Sequence, residues 1–291
     1  MCSTDAVKHV SDTALWVATY RAWESAREDA VFKDELAKLL VGDRGQAIAT
    51  TMPYRKLMAW VLVVRTSAID GLIRRAIDSG ADTVVNLGAG LDTRPYRMAL
   101  PESLRWVEVD FPGIIQYKNN MLAREKTVCQ LQRLETDLSD PGARRAAIES
   151  SCDSAHKAVI VTEGVLPYLS PEEVAALSDE LLAQSKIAYW IQDYRQAGRG
   201  TALKKLTKRL KDAPLQFIVE DWLEFFLNRG WQIGEITYTH DESKRIGRNP
   251  PFVFPQSLVY MAKFLASKRL REKTIRENGY VMFEKSLQTS S

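Results

Sequence analysis

A short apolar run followed by a glycine turn constrains the fold of this chain more than any other feature. The run Thr83–Leu87, with the sequence TVVNL, is rich in β-branched residues and predicts a buried parallel strand. Gly88 and Gly90 follow it and allow the backbone to turn sharply, because neither carries a Cβ atom. Pro95 then suits the first turn of a helix. A strand, a glycine turn and a helix start are typical of the first unit of a nucleotide-binding α/β sheet.

An acidic residue follows the next predicted strand. Residues 104–109, LRWVEV, predict that strand, and Asp110 comes directly after it. A carboxylate about twenty residues after the glycine turn can accept hydrogen bonds from both hydroxyls of a ribose. The dinucleotide-binding pattern has a third glycine beside a pyrophosphate, but Thr93 occupies that position here. The turn therefore favours S-adenosylmethionine, an adenosine ligand without a pyrophosphate, over NAD.

Four ordered motifs resemble those of the leucine carboxyl methyltransferase family: NLGAGLDTRPYR, VEVDFPGIIQYK, ETDLSD and VTEGVLPYLSPEE. The resemblance runs from about residue 15 to about residue 285. It implies a class I O-methyltransferase that uses S-adenosylmethionine. Some members of the family esterify the C-terminal leucine of a phosphatase, and bacterial relatives esterify or etherify small molecules such as polyketides. The implied fold is α/β, a Rossmann-like sheet of seven strands with an antiparallel last strand and an N-terminal helical cap.

The resemblance also implies a set of cofactor-binding residues. An arginine at the position of Arg65 holds the carboxylate of the methionine moiety, and a planar bidentate donor suits that group. Glu163 follows the predicted strand 158–162, at the sheet edge where such folds bind ligands, and is expected to hold the ammonium group. The predicted cofactor-binding residues are Arg21, Arg65, Gly88, Gly90, Asp110, Asp137, Leu138 and Glu163.

Several of these assignments have a structural alternative. Arg65 could be a surface guanidinium on the polar face of its helix. The prediction that Arg21 makes a second cationic contact with the cofactor rests on a loose alignment. Either Asp137 or Asp140 could cap the helix PGARRAAIES. We interpret Asp137 as the acceptor for the adenine amine, with the amide of Leu138 reaching a ring nitrogen, and Asp140 as the cap.

The acceptor of the methyl group is less constrained by the sequence. A carboxylate acceptor is ionised at neutral pH and requires orientation, whereas a hydroxyl acceptor requires a general base, most often histidine. Of the three histidines, His240 is the one on the expected acceptor side, and an exposed loop position is the simpler interpretation for it. We predict Tyr168 and Arg195 as catalytic residues that border the acceptor. Tyr194 and the 240–256 loop, with Arg245 and Arg248, are predicted to border it too.

The predicted acceptor is a carboxylate, or else a hydroxyl, of a small molecule. The alternative acceptors are a protein C-terminal leucine and a modified tRNA base. The alternative protein classes are a nicotinamide-dependent oxidoreductase and a relative that binds the cofactor without turnover. A net charge of only +3 does not favour nucleic acid, and the basic stretch 201–211 is interpreted as a solvated helix face. The oligomeric state is not predicted.

Motifs for metal chemistry and membrane insertion are missing from the sequence. The three cysteines form no C-x-x-C pair, and no H-E-x-x-H pattern occurs. The N-terminus lacks a signal-peptide core, and the apolar run 57–64 is too short to span a bilayer. We therefore expect a cytoplasmic protein with no metal and no membrane partner.

Hydrophobic periodicity outlines one domain. Residues 14–41 predict an amphipathic helix or a broken pair, ended by the turn residues 42–45, and residues 53–79 predict a helix ended by Gly80. These helices, within residues 1–80, are expected to cap the carboxyl ends of the strands. The core is expected over residues 81–291, with a lid at 240–256, one helix over 257–273 and a final strand at 279–285.

Overall fold

In the computed structural model, which describes residues 10–52, 54–196, 215–254 and 256–285, seven strands form a single mixed sheet. The order is β3-β2-β1-β4-β5-β7-β6. β7 is antiparallel to both β5 and β6, and the other pairs are parallel. This confirms the predicted class I methyltransferase sheet. The strands are β1 Thr83–Leu87, β2 Arg105–Asp110, β3 Gln130–Glu135, β4 Ala158–Thr162, β5 Ile187–Arg195, β6 Trp231–Tyr238 and β7 Asn278–Lys285.

The centre of the sheet is where the chain reverses its winding direction. β1 pairs with β2 on one side and with β4 on the other. Every residue of β1 and β4 is buried, which explains why both strands read as continuous apolar runs. In open α/β sheets a crevice forms at this switch point, outside the carboxyl ends of the strands. The candidate site therefore belongs at the ends of β1 and β4.

Helices cover the sheet and its carboxyl edge. A 3₁₀ turn, Leu166–Tyr168, follows β4. Asp140 caps α6 by accepting hydrogen bonds from the amides of Gly142 and Ala143, as predicted. The helices are α1 Val10–Ser25, α2 Glu35–Thr51, α3 Arg55–Asp78, α4 Arg94–Arg97, α5 Pro112–Met121, α6 Pro141–Cys152, α7 Pro171–Ala183, α8 Trp222–Leu227, α9 Thr239–Arg245, α10 Gln256–Ala266 and α11 Lys268–Ile275.

Two hydrophobic clusters lie against the sheet. One contains Trp190, Phe226 and Phe283 together with residues of α6 and α7. The other contains Ile69 and Leu72 of α3, packed with residues of β1, β2 and β4. Since α3 forms part of this cluster, it packs against one face of the sheet. It therefore differs from the predicted cap, which was expected to include all of residues 1–80. Two smaller clusters join α1 and α2 to each other and to the start of the core.

The predicted N-terminal helix is the broken pair of the alternative prediction, but its predicted end is wrong. Residues 26–34 separate α1 from α2, and α2 then continues through the predicted turn as far as Thr51. Gly42 is the only part of that turn with non-helical geometry, at φ 55° and ψ −172°, and it kinks α2. Buried Leu40, Val41 and Ala49 lie on both sides of the kink, so packing maintains the helix across it.

Further differences lie in the C-terminal third. The predicted 240–256 loop begins as a helix, α9, whose first turn carries Asp241 and Glu242. The single helix predicted over 257–273 is divided at Ser267, whose side chain caps α11. The predicted helix at 201–211 lies outside the described residues. Among the helices that are described, none has the length and apolar character needed to cross a bilayer.

Candidate cofactor and acceptor site

The glycine turn after β1 requires glycine for two reasons. Gly88 has a φ of +71°, which is in the left-handed region that L side chains rarely adopt. A Cβ atom at Gly88 would also lie 2.4 Å from Cγ2 of Val165, which follows β4. Gly90 also has a positive φ, of +50°, and its Cβ would approach Ala14 of α1 to 3.3 Å. The turn thus lies directly beneath α1 and against the residues that follow β4.

Asp110 faces this turn from the end of β2. Its Oδ2 accepts a hydrogen bond of 2.6 Å from the amide of Gly90, and Oδ1 accepts one of 2.7 Å from the amide of Phe111. Burial raises the pKa of Asp110, and the two backbone donors only partly oppose that effect. Each carboxylate oxygen can accept a second hydrogen bond, which suits the two hydroxyls of a ribose.

The two residues predicted to bind adenine lie beside Asp110. The amide of Thr136, just after β3, donates to the carbonyl of Asp110 at 2.8 Å. The adjacent Asp137 is exposed, and its Oδ1 accepts hydrogen bonds from the amide and hydroxyl of Ser139. The carbonyl of Leu138 accepts from Arg144. The structure therefore brings Asp137 and Leu138 to the ribose side of the site, and their contact with adenine stays a prediction.

Glu163 lies between two arginines at the end of β4. Its Oε1 is 2.8 Å from Nε of Arg65, and its Oε2 is 2.8 Å from Nη1 of Arg94. Burial disfavours the ionised carboxylate, but Arg94 and Arg65 outweigh it and hold the pKa of Glu163 below its usual value. The site thus contains a fixed anion directly beside a cation.

Arg65 retains hydrogen-bonding capacity toward a ligand. The contact between its Nε and Glu163 is an ion pair without hydrogen-bond alignment, so this buried N–H has no hydrogen-bond partner among the described residues. Burial opposes the charge of Arg65, while Glu163 and Asp193 favour it and raise its pKa. An unpartnered buried donor next to a carboxylate fits a zwitterionic group such as the methionine moiety of S-adenosylmethionine. The residues present therefore fit the predicted cofactor.

Arg94 is part of the site although sequence reasoning treated it only as the start of a helix. It is 2% exposed, and besides Glu163 it pairs with Asp70 at 2.6 Å and Asp92 at 2.9 Å. Arg97 pairs with the other oxygen of Asp70 at 2.7 Å. A signal was available, because a charged residue directly after a buried glycine turn must find partners within the fold.

Arg21 contacts the glycine turn and a buried aspartate in this structure. Its Nε is 2.8 Å from Asp34, and its Nη2 donates to the carbonyl of Leu91, next to the glycine turn. Thr93 donates to the same aspartate at 2.6 Å. Arg21 therefore anchors α1 to the turn in this structure, and its predicted contact with the cofactor stays a prediction.

The predicted acceptor side is built around Asp193, which the sequence analysis did not single out. Its Oδ1 accepts a 2.6 Å hydrogen bond from the amide of Gly164, next to Glu163. Tyr168, Tyr280 and the exposed Arg195 all lie close enough to interact electrostatically with Asp193. Burial raises the pKa of the phenols of Tyr168 and Tyr280, so both are neutral at pH 7 and available as hydrogen-bond donors.

Three residues predicted to border the acceptor have other roles. Tyr194 lies in the core cluster on one face of the sheet, and its hydroxyl donates to the carbonyl of Arg276. Arg245 pairs with Glu242, and Arg248 pairs with residues of the 24–29 segment. β-strand alternation explains the first error, because Tyr194 must point away from the face that its neighbours Asp193 and Arg195 occupy.

His240, Cys129 and Cys152 contribute no contact to the site residues described above. His240 is 3.2 Å from the hydroxyl of Tyr260, and burial and Lys244 lower its pKa. Burial raises the pKa of the thiols of Cys129 and Cys152 to about 11, so both are unreactive. Within the described ranges, no group of three or more His, Cys, Asp or Glu side chains is arranged to hold a metal ion. His9 lies outside those ranges.

Solved structures share the fold of the whole described chain. A protein of the DUF574 family from Streptomyces avermitilis superimposes with a TM-score of 0.57 at 17% identity, over 92% of this chain and 97% of its own. A candidate methyltransferase from Thermobifida fusca gives a TM-score of 0.57 at 14% identity, over 98% of this chain and 96% of its own. These similarities show the fold.

Sequence comparisons identify the family. A candidate S-adenosyl-L-methionine-dependent methyltransferase from Frankia alni is 36% identical over 62% of this chain and 69% of its own length. A similar candidate from Streptomyces coelicolor is 37% identical over 60% of this chain, which spans 64% of that relative. The profile of the leucine carboxyl methyltransferase family matches residues 14–182, which include the glycine turn, Asp110 and Glu163. The chain therefore belongs to the leucine carboxyl methyltransferase family and is an S-adenosylmethionine-dependent methyltransferase.

Proposed function

We propose that this methyltransferase forms a methyl ester on a carboxylate of a small molecule. The observation that carries the proposal is that the exposed cation Arg195 and the neutral phenol of Tyr168 both interact with Asp193, whose carboxylate is hydrogen-bonded to the amide that follows Glu163. A guanidinium and a phenol together can orient a carboxylate, which is already ionised and needs no base. When bound, S-adenosylmethionine supplies an electrophilic methyl group on its sulfonium.

The residues of the chain would hold the two reactants in line. Asp110 would accept hydrogen bonds from the ribose hydroxyls, and Glu163 would accept them from the ammonium group. Arg65 would donate hydrogen bonds to the carboxylate of the cofactor. Tyr168 and Arg195 orient the acceptor oxygen toward the methyl group. Because holding reacting atoms in line is the main contribution an enzyme makes to such a displacement, these positioning contacts account for most of the expected rate enhancement.

An ether-forming reaction on a hydroxyl is the second candidate, and Asp193 is the observation that favours it. Its carboxylate accepts a 2.6 Å hydrogen bond from a backbone amide and interacts with Tyr168 and Arg195. A carboxylate in this position could act as the general base that a hydroxyl acceptor requires. An acceptor carboxylate would be repelled by Asp193 unless Arg195 lay between them. The two reactions therefore make different demands on this aspartate.

The experiment is a transfer assay with methyl-labelled S-adenosylmethionine and a library of carboxylic acids and their hydroxyl analogues. Products are then treated with mild alkali. We expect the label to be released as methanol, because methyl esters are cleaved by alkali and methyl ethers are not. A product that keeps its label would contradict the ester proposal and support the ether. Asp193→Asn should preserve ester formation and abolish ether formation.

The same assay separates the remaining hypotheses. Methyl transfer to a peptide with a C-terminal leucine carboxylate, or to tRNA, would replace the small molecule as acceptor. If no carboxylate or hydroxyl compound, peptide or RNA accepts the label while the cofactor still binds, the chain is a cofactor-binding relative without turnover. In that case the fold and the cofactor site stand, but the proposed reaction is wrong.

A further inference from the structure

The helix α10 exposes an apolar stripe to solvent. Leu258, Met261 and Leu265 have exposed fractions of 47%, 50% and 78%, and the spacing of three and four residues places them on one face. Val259, at 55%, borders the same face. No element in the described part of the chain covers these side chains. Soluble proteins seldom leave so many adjacent large apolar groups in water without a partner.

Two aromatic side chains of α10 contact the neighbouring helices α9 and α11. Tyr260 and Phe264 stack at 6.0 Å between ring centroids, and the hydroxyl of Tyr260 is 3.2 Å from Nδ1 of His240. The guanidinium of Arg271 in α11 lies 5.7 Å from the Phe264 ring. The Phe264 ring also lies 5.6 Å from the His240 ring, so this aromatic side chain holds α10 against α9 and α11.

The exposed apolar surface continues into the segment before α10. Phe252 and Phe254 are 67% and 71% exposed. We call these two phenylalanines and four of the exposed residues of α10 the apolar patch: Phe252, Phe254, Leu258, Val259, Met261 and Leu265.

Basic side chains lie directly beside the apolar patch. Residues 256–277 contain six lysines and arginines and two glutamates, a net charge of +4. Lys263 is paired with Glu277 at 3.1 Å. The exposed basic residues of α11 and its end are Lys268, Arg269, Arg271, Lys273 and Arg276. An apolar helix face next to a group of cations is the pattern of a segment that lies in the interface of an anionic membrane.

Charge distinguishes this partner from a second copy of the chain. In a symmetric dimer each patch would contact the same patch of its partner, and the two basic α11 helices would be brought together. Like charges in such an interface oppose association. An anionic lipid surface instead offers apolar chains for the patch and negative headgroups for α11, so it satisfies both features at once.

We propose that the apolar patch and α11 dock this enzyme onto the surface of an anionic lipid bilayer. The helix lies in the membrane interface and does not cross it. This departs from the expectation of no membrane partner, which rested on the lack of a spanning segment. The inference is independent of the proposed acceptor, because it concerns only where the enzyme sits.

The experiment is co-sedimentation of the full chain with vesicles. Vesicles of phosphatidylcholine with phosphatidylglycerol are compared with vesicles of phosphatidylcholine alone, at low and high salt. We expect binding to the anionic vesicles only, and we expect high salt to weaken it because the Debye length shortens. Equal binding to both kinds of vesicle, or binding to neither, would overturn the proposal.

Two sets of variants assign the binding to the proposed residues. Leu258→Ser with Leu265→Ser should reduce vesicle affinity at least ~10-fold, whereas Ile218→Ser, which alters a residue that is 75% exposed elsewhere, should not. Replacing Lys268, Arg269 and Lys273 by Gln should also reduce it at least ~10-fold. The control with the same charge change is Gln at the exposed positions Arg124, Lys126 and Arg145.

Cofactor affinity checks that every variant is folded, since none of these residues lies in the cofactor site. If the patch variants and their controls bind vesicles alike, the assigned surface is wrong. Light scattering provides the remaining outcome. The proposal would be overturned if the protein does not bind vesicles and forms a dimer that Leu258→Ser with Leu265→Ser dissociates. That result would show that the patch binds a second copy of the chain.

Discussion

At the scale of single residues, the site is organised by the two arginines that hold Glu163. A buried carboxylate is costly unless it is paired, and here each oxygen has its own guanidinium. Arg94 is the permanent partner, because it is also fixed by Asp70 and Asp92. Arg65 pairs with Glu163 through Nε without hydrogen-bond alignment, and is therefore the partner that can turn to a ligand. We infer that Arg94 is a positioning residue that keeps Glu163 ionised.

Changing Arg94 to Lys tests this role. A lysine cannot pair with three carboxylates in the same geometry, so the pKa of Glu163 should rise. We expect cofactor affinity in Arg94→Lys to decline at a higher pH than in the wild type as the solution is acidified. The measurement is calorimetric titration with S-adenosylmethionine from pH 8 to pH 5. A variant that binds weakly but with the wild-type pH profile would indicate a structural role alone.

The buried arginines around the site predict how stability depends on pH. Burial raises the pKa of Asp34, Asp70 and Glu163, but neighbouring arginines outweigh it and leave each pKa below its ordinary value. Such groups contribute stability that is fully present above the ordinary value of about 4 and is lost as the pH falls through the lower native pKa. Urea denaturation should therefore give a free energy of unfolding that falls below about pH 4. A rise over that range would contradict these ion pairs.

At the scale of elements, the glycine turn after β1 couples β1 to β4. Gly88→Ala adds left-handed strain of ~1–2 kcal/mol and a clash with Val165 that costs a further ~1–3 kcal/mol. Gly247→Ala is the control, because its φ of +66° is close to that of Gly88 while no described atom lies within 4 Å of the added Cβ. The free energy of unfolding should fall more for Gly88→Ala.

A second change separates the clash from the strain at Gly88. Val165→Ala in the Gly88→Ala background removes the methyl group that the new Cβ would meet. It should restore part of the lost stability and part of the lost cofactor affinity. The rest of the loss should remain, because the backbone strain at residue 88 is unchanged. If Val165→Ala further destabilises the variant, the contact between the turn and the residues after β4 does not limit this position.

Strands and helix ends were predictable because their signals are local. The runs of β1 and β4, the cap at Asp140 and the stop at Gly80 depend on neighbours in sequence, and all are confirmed. The extent of α2 depends on distant packing, which continues the helix past a glycine that breaks it locally. For the same reason, the pairing of Arg94 with Asp70, 24 residues apart, could not be read from periodicity.

At the scale of the whole molecule, the N-terminal region and the 239–254 segment are joined by Arg248. Its guanidinium pairs with Glu24 at 2.7 Å and Asp29 at 2.8 Å, and its carbonyl accepts from the indole of Trp60 at 2.7 Å. These contacts engage the guanidinium and the carbonyl of Arg248 in this structure, and its predicted place beside the acceptor stays a prediction. They also bring together parts of the chain more than 180 residues apart, which no local pattern predicts.

Arg248→Gln should therefore act on stability and leave chemistry largely unchanged. It removes the 2.7 Å partner of the buried Glu24, which keeps the amide of Val31 and a longer contact with Arg27, and should lower the free energy of unfolding by ~1–3 kcal/mol. Arg195→Gln should show the converse, with a higher KM for the acceptor and nearly normal stability, because Arg195 is exposed. If KM for the acceptor rises more in Arg248→Gln than in Arg195→Gln, the acceptor does not lie beside Arg195 and the proposed acceptor site is wrong.

The central claim is that Arg65 and Glu163 together receive the zwitterionic end of S-adenosylmethionine. Calorimetric titration with S-adenosylmethionine and with its decarboxylated form tests it most directly, because only the carboxylate differs. The wild type should bind the decarboxylated form ~10- to 100-fold more weakly, as expected for loss of a charged hydrogen bond. Arg65→Met should bind both ligands alike, whereas Arg75→Met, on the same helix but paired with Glu235, should discriminate as the wild type does. A wild type that does not discriminate, or an Arg65→Met variant that still does, would contradict the claim.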